Sequence, residues 1–104
     1  MMGRMPEISD VPDEQRYVLT VDGRRVGRLD YVLEGDMFVA KHVVVETAYG
    51  GQGLGTALVR HVLDEVRETG LALRPECPFV VYFLREHPEY ADLLEDIDDV
   101  DEVS

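Results

Sequence analysis

The chain has 104 residues and a formal net charge of −12 at pH 7, with 22 acidic residues against 10 lysines and arginines. Nucleic acids are bound by clustered lysine and arginine, so this balance argues against a nucleic-acid partner. Hydrophobic residues make up 45% of the chain, but no apolar run approaches about 18 residues, which argues against a membrane-spanning helix. The single cysteine, Cys77, excludes an internal disulfide and offers no metal-ligand spacing, which favours a cytoplasmic protein without a metal.

The length predicts one domain over residues 1–104, with a modest hydrophobic core. Residues 1–13 carry two prolines and scattered charge without periodicity, which predicts a mobile leader. Residues 93–104 contain no lysine or arginine and are rich in aspartate and glutamate. We therefore expect an ordered core over about residues 14–92 and a mobile, solubilising tail behind it.

Three β-strands are predicted in the first half of the chain. Arg16–Val21 is rich in β-branched and aromatic residues, and the Asp-Gly pair behind it is typical of a hairpin turn. Arg25–Leu33 alternates apolar and polar side chains, as expected for a strand with one buried face. Met37–Val45 is apolar almost throughout, which predicts a central strand covered on both faces.

A glycine-rich turn and an amphipathic helix follow the third strand. From Leu54 onward, apolar residues recur at helical spacing until Gly70, which predicts a helix that ends at this glycine. The preceding glycines allow positive φ and close approach to a ligand, and the first N–H groups of a helix attract anions. The turn is therefore a predicted phosphate cradle.

The glycine spacing distinguishes between phosphate-binding motifs. Gly50 and Gly55 have the spacing of a Walker loop, but Thr56 follows directly, without the lysine that this loop requires. The dinucleotide motif G-x-G-x-x-G is also absent, and no β-α-β unit precedes the turn. The pattern V-x-V-x4-(R/G)-G-x-G-x-G, at a strand-to-helix junction, resembles the pyrophosphate loop of the GCN5-related N-acetyltransferases, whose core is [QR]-x-x-G-x-[GA].

A second block of sequence strengthens this resemblance. R-P-E-C-P-F-V-V-Y-F-L-R-E-H-P-E-Y is similar to the signature of a small, minimal subgroup of the same superfamily, and the two blocks cover most of residues 39–90. The chain departs from the family at Gly50, where the motif usually opens with arginine or glutamine. The backbone cradle is retained, but one charged side-chain contact is lost.

The last elements complete a mixed α+β fold. Leu71–Leu73 is predicted as a short parallel strand after a right-handed crossover, and Phe79–Glu86 as a helix that ends before Pro88. The order β-β-β-α-β-α, antiparallel strands followed by a parallel β-α-β unit, is that of a minimal acetyltransferase fold without the family's early helices and late strands. The resemblance implies an acceptor site that is open or completed by a partner, in a monomer or weak dimer.

The resemblance implies acetyl-CoA as cosubstrate and indicates which residues bind it. In the family, the pantetheine arm lies along the central strand, where this chain has Val43, Val44 and Val45. The implied pyrophosphate loop consists of Gly51, Gln52, Gly53, Leu54, Gly55 and Thr56.

The net charge of −12 opposes a polyanionic cofactor. The predicted helix carries Arg60, His61 and Arg67. Since charges are screened over roughly 8 Å at physiological salt, we expect these local cations to outweigh a distant acidic tail.

Three side chains are candidates for acyl-transfer chemistry. Cys77 could line the pocket or carry the acyl group, although lone cysteines are usually small core residues. His42 could accept a proton from the incoming amine, or be a packed structural residue. Tyr82 could protonate the departing thiolate, as a tyrosine on the last helix often does in this family, or belong to the core. We favour direct transfer, because Glu76 beside the cysteine opposes a thiolate.

The sequence leaves three functions open. The first is acetyl-CoA-dependent acetylation of a primary amine of unknown identity, for which an acidic surface would favour a cationic acceptor. The second is a CoA-binding or protein-interaction module with weak or lost catalysis, suggested by Gly50 and by the missing acceptor elements. The third is a regulatory partner that uses its acidic tail on a basic protein.

Overall fold

The computed structural model describes residues 6–94, which form a five-stranded sheet with two α-helices packed on one face. Short 3-10 turns at Pro12–Glu14, Thr47–Tyr49 and Pro88–Leu93 complete the described chain. In chain order the elements are β1 (Pro6–Val11), β2 (Arg16–Val21), β3 (Arg24–Glu34), β4 (Met37–Val45), α1 (Leu54–Thr69), β5 (Ala72–Pro75) and α2 (Pro78–Glu86).

The strands lie in the sheet in their chain order, β1-β2-β3-β4-β5. The first four form an antiparallel meander, and β5 returns parallel to β4 after the α1 crossover. This arrangement confirms the predicted mixed α+β fold, with antiparallel strands followed by a parallel β-α-β unit. Neither helix in residues 6–94 is long and apolar enough to cross a membrane.

One strand is missing from the predicted order. The mobile leader expected over residues 1–13 is wrong for Pro6–Val11, which pair antiparallel with β2 as an edge strand. Ile8 packs against the core, whereas its neighbours Glu7 and Ser9 are exposed. With a single apolar residue turned inward and a proline at its start, an edge strand of this kind gives almost no periodic signal.

A bulge divides β4 into two halves. Tyr31 pairs with Ala40 and Asp30 pairs with His42, so Lys41 is an extra residue in β4. Such a bulge changes which alternate side chains face the core. The β4 side chains that pack against the helix-covered core are Phe38, Ala40 and Val43. Val45 lies on the same face, near Gly55 at the start of α1.

The two halves of β4 therefore differ in burial. Residues 37–40 are all buried, as continuous apolarity predicts, whereas beyond the bulge burial alternates and Val44 is 41% exposed. The expected cover on both faces applies only to the first half. His42 and Val44 face away from the helices.

The core lies between the sheet and the helices. The buried side of α1 consists of Leu58, Val59, Val62, Leu63 and Val66. From α2, Val80, Phe83 and Leu84 join the same cluster. Gly70 takes a φ of 79° at the end of α1, as the predicted glycine stop requires.

The chain after α2 is tied back to α1. The Tyr90 hydroxyl donates to Asp64 at 2.6 Å, and Arg67 bridges to both carboxylate oxygens of Asp92. Leu93 is 7% exposed and belongs to the core, so the tail predicted over 93–104 begins too early. The rest of that predicted tail, residues 95–104, lies outside the described residues.

Candidate active site

A gap opens in the sheet where β4 continues beyond β5. The two strands pair only over Met37–Ala40, and the Glu76 N–H then donates to the Ala40 carbonyl at 2.9 Å. Within residues 6–94, no strand pairs with this edge of Lys41–Val45. The N–H and C=O groups on that edge are therefore free to bind an extended, amide-bearing ligand.

The glycine-rich turn leads from this gap into α1. Gly51 and Gly53 both have a φ of 77°, in the left-handed region, and Gly53 is the N-cap of the helix. No side chain caps the helix, whose first hydrogen bond runs from the Ala57 N–H to the Gly53 carbonyl at 3.0 Å. The N–H groups of residues 54–56 precede that bond and are left to bind an anion, as the predicted cradle requires.

The gap and the turn border one groove with a volume of about 350 Å³. The predicted residues that line it are Val43, Val45, Gly51, Gly53, Leu54, Gly55 and Thr56. Tyr49 and Phe79 also line it and were not predicted from the sequence. Phe79 stands in the C-P-F-V segment, directly after the proline that starts α2. An aromatic residue at this position is the sequence feature that could have pointed to it as a groove residue.

Two of the predicted CoA-binding residues do not line this groove. The Val44 side chain points to the opposite face of the sheet, where it lines a different groove. Gln52 borders a cavity of about 70 Å³ with Pro6 and Val21. Only their backbone groups remain candidates for contact with a ligand in the groove.

Gly55 has a packing role. A Cβ at this position would lie 3.2 Å from the Cζ of Phe79 and 3.7 Å from a Val45 methyl. The missing side chain thus lets α2 approach the first turn of α1 closely. Its backbone is helical, so positive φ is not the reason for this glycine.

The three candidate catalytic side chains lie in three separate places. Cys77 is 6% exposed within the core, and its carbonyl accepts hydrogen bonds from Val80 and Val81 in α2. His42 is exposed on the sheet face away from the helices. Tyr82 is 57% exposed on α2, one helical turn after Phe79, so the alternative of a core tyrosine is wrong.

A charged pair marks the closed end of the gap. The Lys41 ammonium lies 2.7 Å from Glu76, and this hydrogen bond holds the pKa of the Glu76 carboxyl below its usual value. Arg74 and His42 lower it further. The pair fixes the first bulge residue of β4 to the segment that carries Cys77.

The cations of α1 do not surround the glycine turn. Arg67 lies in the last helical turn and is paired with Asp92, and the Arg60 guanidinium packs over the Phe83 ring at 5.7 Å. His61 lies 3.1 Å from Glu65. The expectation that these residues offset the net charge near a bound phosphate is therefore not supported, and the local positive potential comes from backbone N–H groups.

Within residues 6–94, no group of three or more His, Cys, Asp or Glu side chains is placed to hold a metal ion.

Two solved structures are similar to this chain. The ribosomal-protein-S18-alanine N-acetyltransferase from Escherichia coli matches with a TM-score of 0.55 and 29% identity over 60% of this chain and 42% of that enzyme. The chain therefore spans less than half the length of that protein. A GCN5-like protein from Staphylococcus aureus matches with a TM-score of 0.67 and 23% identity, over 85% of this chain and 86% of that protein, and at this identity the likeness shows the fold.

No curated protein matches the chain. The family model for GCN5-related N-acetyl-transferase matches residues 16–93, which include the groove, the glycine turn and both helices. This match extends over most of the chain and agrees with the sheet topology and the gap beside β4. The chain belongs to the GCN5-related N-acetyltransferase family.

Proposed function

We propose that this protein transfers the acetyl group of acetyl-CoA to a primary amine. The observation that carries the proposal is the continuous groove between the unpaired edge of β4 and the uncapped start of α1. One end offers strand groups to an amide-bearing arm, and the other offers N–H groups to phosphate. Acetyl-CoA has both features, an extended pantetheine and a pyrophosphate, in that order along its length.

The two halves of the groove have separate roles in this proposal. The N–H groups from Gly51 to Thr56 bind the pyrophosphate, because a positive φ at two glycines turns the backbone toward the ligand and the helix dipole attracts negative charge. The backbone of Val43–Val45 binds the pantetheine amides as an added strand would. This orientation brings the thioester toward Lys41 and His42, where the gap closes at Ala40.

The chemistry is direct attack of the amine nitrogen on the thioester carbonyl. A C–N bond forms, the C–S bond breaks, the amine loses a proton and the CoA thiolate gains one. His42 is the candidate that accepts the amine proton from the helix-free side of β4. Tyr82 is the candidate that protonates the thiolate, and Cys77 contributes packing.

A transfer assay tests this proposal. Purified full-length protein is incubated with acetyl-CoA and a panel of primary amines, and acetylated products and free CoA are quantified by mass spectrometry. Enzyme-dependent production of both in equal amounts is the expected result. CoA binding without transfer to any amine would instead favour the catalytically weak CoA-binding module, and absence of CoA binding would contradict both.

A further inference from the structure

The sheet face opposite the helices carries a second groove, with a volume of about 200 Å³. Val44 is 41% exposed on this face, whereas Val18 and Val26 are buried beneath the groove. Three valines and three arginines account for most of the lining, namely Val18, Val26, Val44, Arg16, Arg25 and Arg28. This second groove, called the arginine groove below, therefore offers an apolar surface next to guanidinium groups.

The arginines of this groove outnumber their carboxylate partners. Arg25 pairs with Glu14 at 3.0 Å, and Arg28 pairs with Asp30 at 3.1 Å. Arg16 shares both carboxylates, at 3.7 Å from Glu14 and 3.0 Å from Asp30. Three guanidinium groups thus face two carboxylates, which leaves one excess positive charge in a chain whose net charge is −12.

The Nε of Arg16 does not contribute to this excess. It is inaccessible to solvent and lies 3.0 Å from the Asp30 carboxylate, so only the other atoms of this side chain can meet a ligand. Glu46 also lines the groove, but Arg24 pairs with it at 2.9 Å and leaves the charge balance unchanged. One anionic group with an apolar body fits this balance and this surface.

The second groove lies close to the proposed site of transfer. His42 pairs with Asp30 and Val44 pairs with Arg28 across β3 and β4, on the same face of the sheet. Diagonal neighbours on one face of such a pair are about 7–8 Å apart, which is the separation expected between His42 and Arg28. Arg16, one strand further along the same row, lies about 10 Å from His42 at the usual strand spacing.

We propose that the arginine groove binds a carboxylate of the amine acceptor, which selects amines that carry a carboxylate about 7–10 Å from the reacting nitrogen. This inference rests on the proposed acetyl transfer. The nitrogen lies beside His42, the carbon chain crosses Val44, and the carboxylate pairs with Arg28 and Arg16. The acceptor class is then zwitterionic, such as an ω-amino acid, in place of the simple cation that an acidic surface alone would favour.

The test compares two amines that differ only by the carboxylate, 6-aminohexanoate and hexylamine, in the full-length enzyme and in R28Q and R74Q. Arg74 is a matched control, since it is half-exposed, carries one carboxylate partner, Glu34 at 3.6 Å, and lies outside the groove. We expect kcat/KM for 6-aminohexanoate to exceed that for hexylamine about tenfold in the wild type and in R74Q. In R28Q the two values should become similar. Equal use of both amines by the wild type, or a preference that survives in R28Q, would overturn the inference while leaving acetyl transfer intact.

Binding without turnover separates this inference from the proposed function. Hexanoate is titrated into ¹⁵N-labelled protein in the absence of CoA, with 1-hexanol as the uncharged control. We expect hexanoate to shift the amides of Arg16, Arg28 and Val44, and hexanol not to shift them. R28Q should lose these shifts while keeping a wild-type thermal melt. This result supports the anion site even where no amine is acetylated. Absence of these shifts overturns it.

Discussion

Gly53 and Gly55 contribute to the same groove for different physical reasons. At Gly53 the backbone has a φ of 77°, and no atom lies within 4 Å of the position that a Cβ would occupy, so the constraint is conformational. At Gly55 the φ is helical, and the constraint is the 3.2 Å approach to Phe79. Only the first position keeps open space for a ligand next to unpaired N–H groups.

Replacing Gly53 by alanine should therefore weaken CoA binding beyond its effect on stability. Gly23 is a matched control, with a φ of 81° and equally open surroundings in the β2–β3 turn. Both substitutions should lower the free energy of unfolding by about 1–2 kcal/mol, because L-residues are strained at positive φ. Only G53A should also lower the affinity for CoA, by about tenfold or more, measured by calorimetry beside urea unfolding. Equal affinities of the two variants would count against the cradle.

Cys77 is the residue at which two mechanisms make opposite predictions. Since its side chain is buried in the core and Glu76 precedes it, we expect C77A to keep activity within about tenfold and to lose about 1 kcal/mol of stability. Wild-type protein incubated with acetyl-CoA and no amine should gain no acetyl mass. A hydroxylamine-sensitive acetyl adduct on Cys77 that is passed to an added amine would establish an acyl-enzyme instead.

Two buried tyrosines, Tyr17 and Tyr31, should make the free energy of unfolding depend on pH at high pH. Burial raises the pKa of Tyr17, as does its hydrogen bond to Glu65, and burial and Asp10 raise the pKa of Tyr31 in the same way. The unfolded chain loses these protons near pH 10, while the folded chain keeps them. The stabilisation is therefore complete below about pH 10 and is lost as the pH rises further.

Urea unfolding between about pH 8 and pH 11 checks this expectation. Y17F should reduce the pH dependence of the unfolding free energy above pH 10 by about one proton. A wild-type unfolding free energy that stays constant across this range would show that the two buried hydroxyls do not stabilise the fold in this way.

At the scale of the elements, the segment after α2 is part of the fold. Tyr90 bonds to Asp64, Arg67 packs over the Tyr90 ring at 5.6 Å, and Leu93 is buried. Leu94 forms a parallel bridge with Leu73 in β5. The H-P-E-Y segment therefore closes one edge of the core by joining α1 to α2.

Two truncations test this role. A chain that ends at Leu94 keeps every contact of the described residues, whereas one that ends at Asp92 loses the buried Leu93 and the bridge to β5. We expect the shorter chain to be less stable by about 2 kcal/mol, from the apolar surface of one buried leucine. Thermal melts compare the two directly. Identical melting temperatures would place this segment outside the cooperative unit.

Elements with a strong local sequence pattern were predictable, and elements with a weak one were not. β2, α1 and the Gly70 stop were predicted with correct boundaries, since alternation, a helical stripe and a C-terminal glycine are local signals. β5 was placed at Leu71–Leu73 and lies at Ala72–Pro75, because four residues carry too little pattern to fix a boundary. β1 was missed because its only inward apolar residue is Ile8.

The site segments that are continuous in sequence were predictable, whereas the contacts between different strands were not. The glycine turn and the β4 segment follow from sequence spacing, and the structure places them along one groove. The bulge at Lys41 depends on pairing with β3, and no local pattern reports it, so it could not be foreseen that Val43 faces the helices and Val44 the opposite side of the sheet. The arginine groove likewise requires β2, β3 and β4 to be side by side.

At the scale of the whole molecule, charge is distributed unevenly. The chain carries −12 overall, yet three arginines of the arginine groove share only two carboxylate partners, and the groove beside α1 has no cationic side chain among its lining residues. In the proposed function, binding of CoA then depends on fixed backbone dipoles at short range, against long-range repulsion. The proposal therefore assigns recognition of the cofactor to the backbone geometry of the glycine turn.

The most direct test of that assignment is an amide chemical-shift titration of ¹⁵N-labelled protein with CoA. We expect the largest shifts on the amides of Gly51 and Gly53 to Thr56, followed by those of Val43 and Val45, and we expect G53A to reduce them while G23A does not. Largest shifts in β1, in the β2–β3 turn or in the arginine groove, with the glycine turn unperturbed, would contradict it.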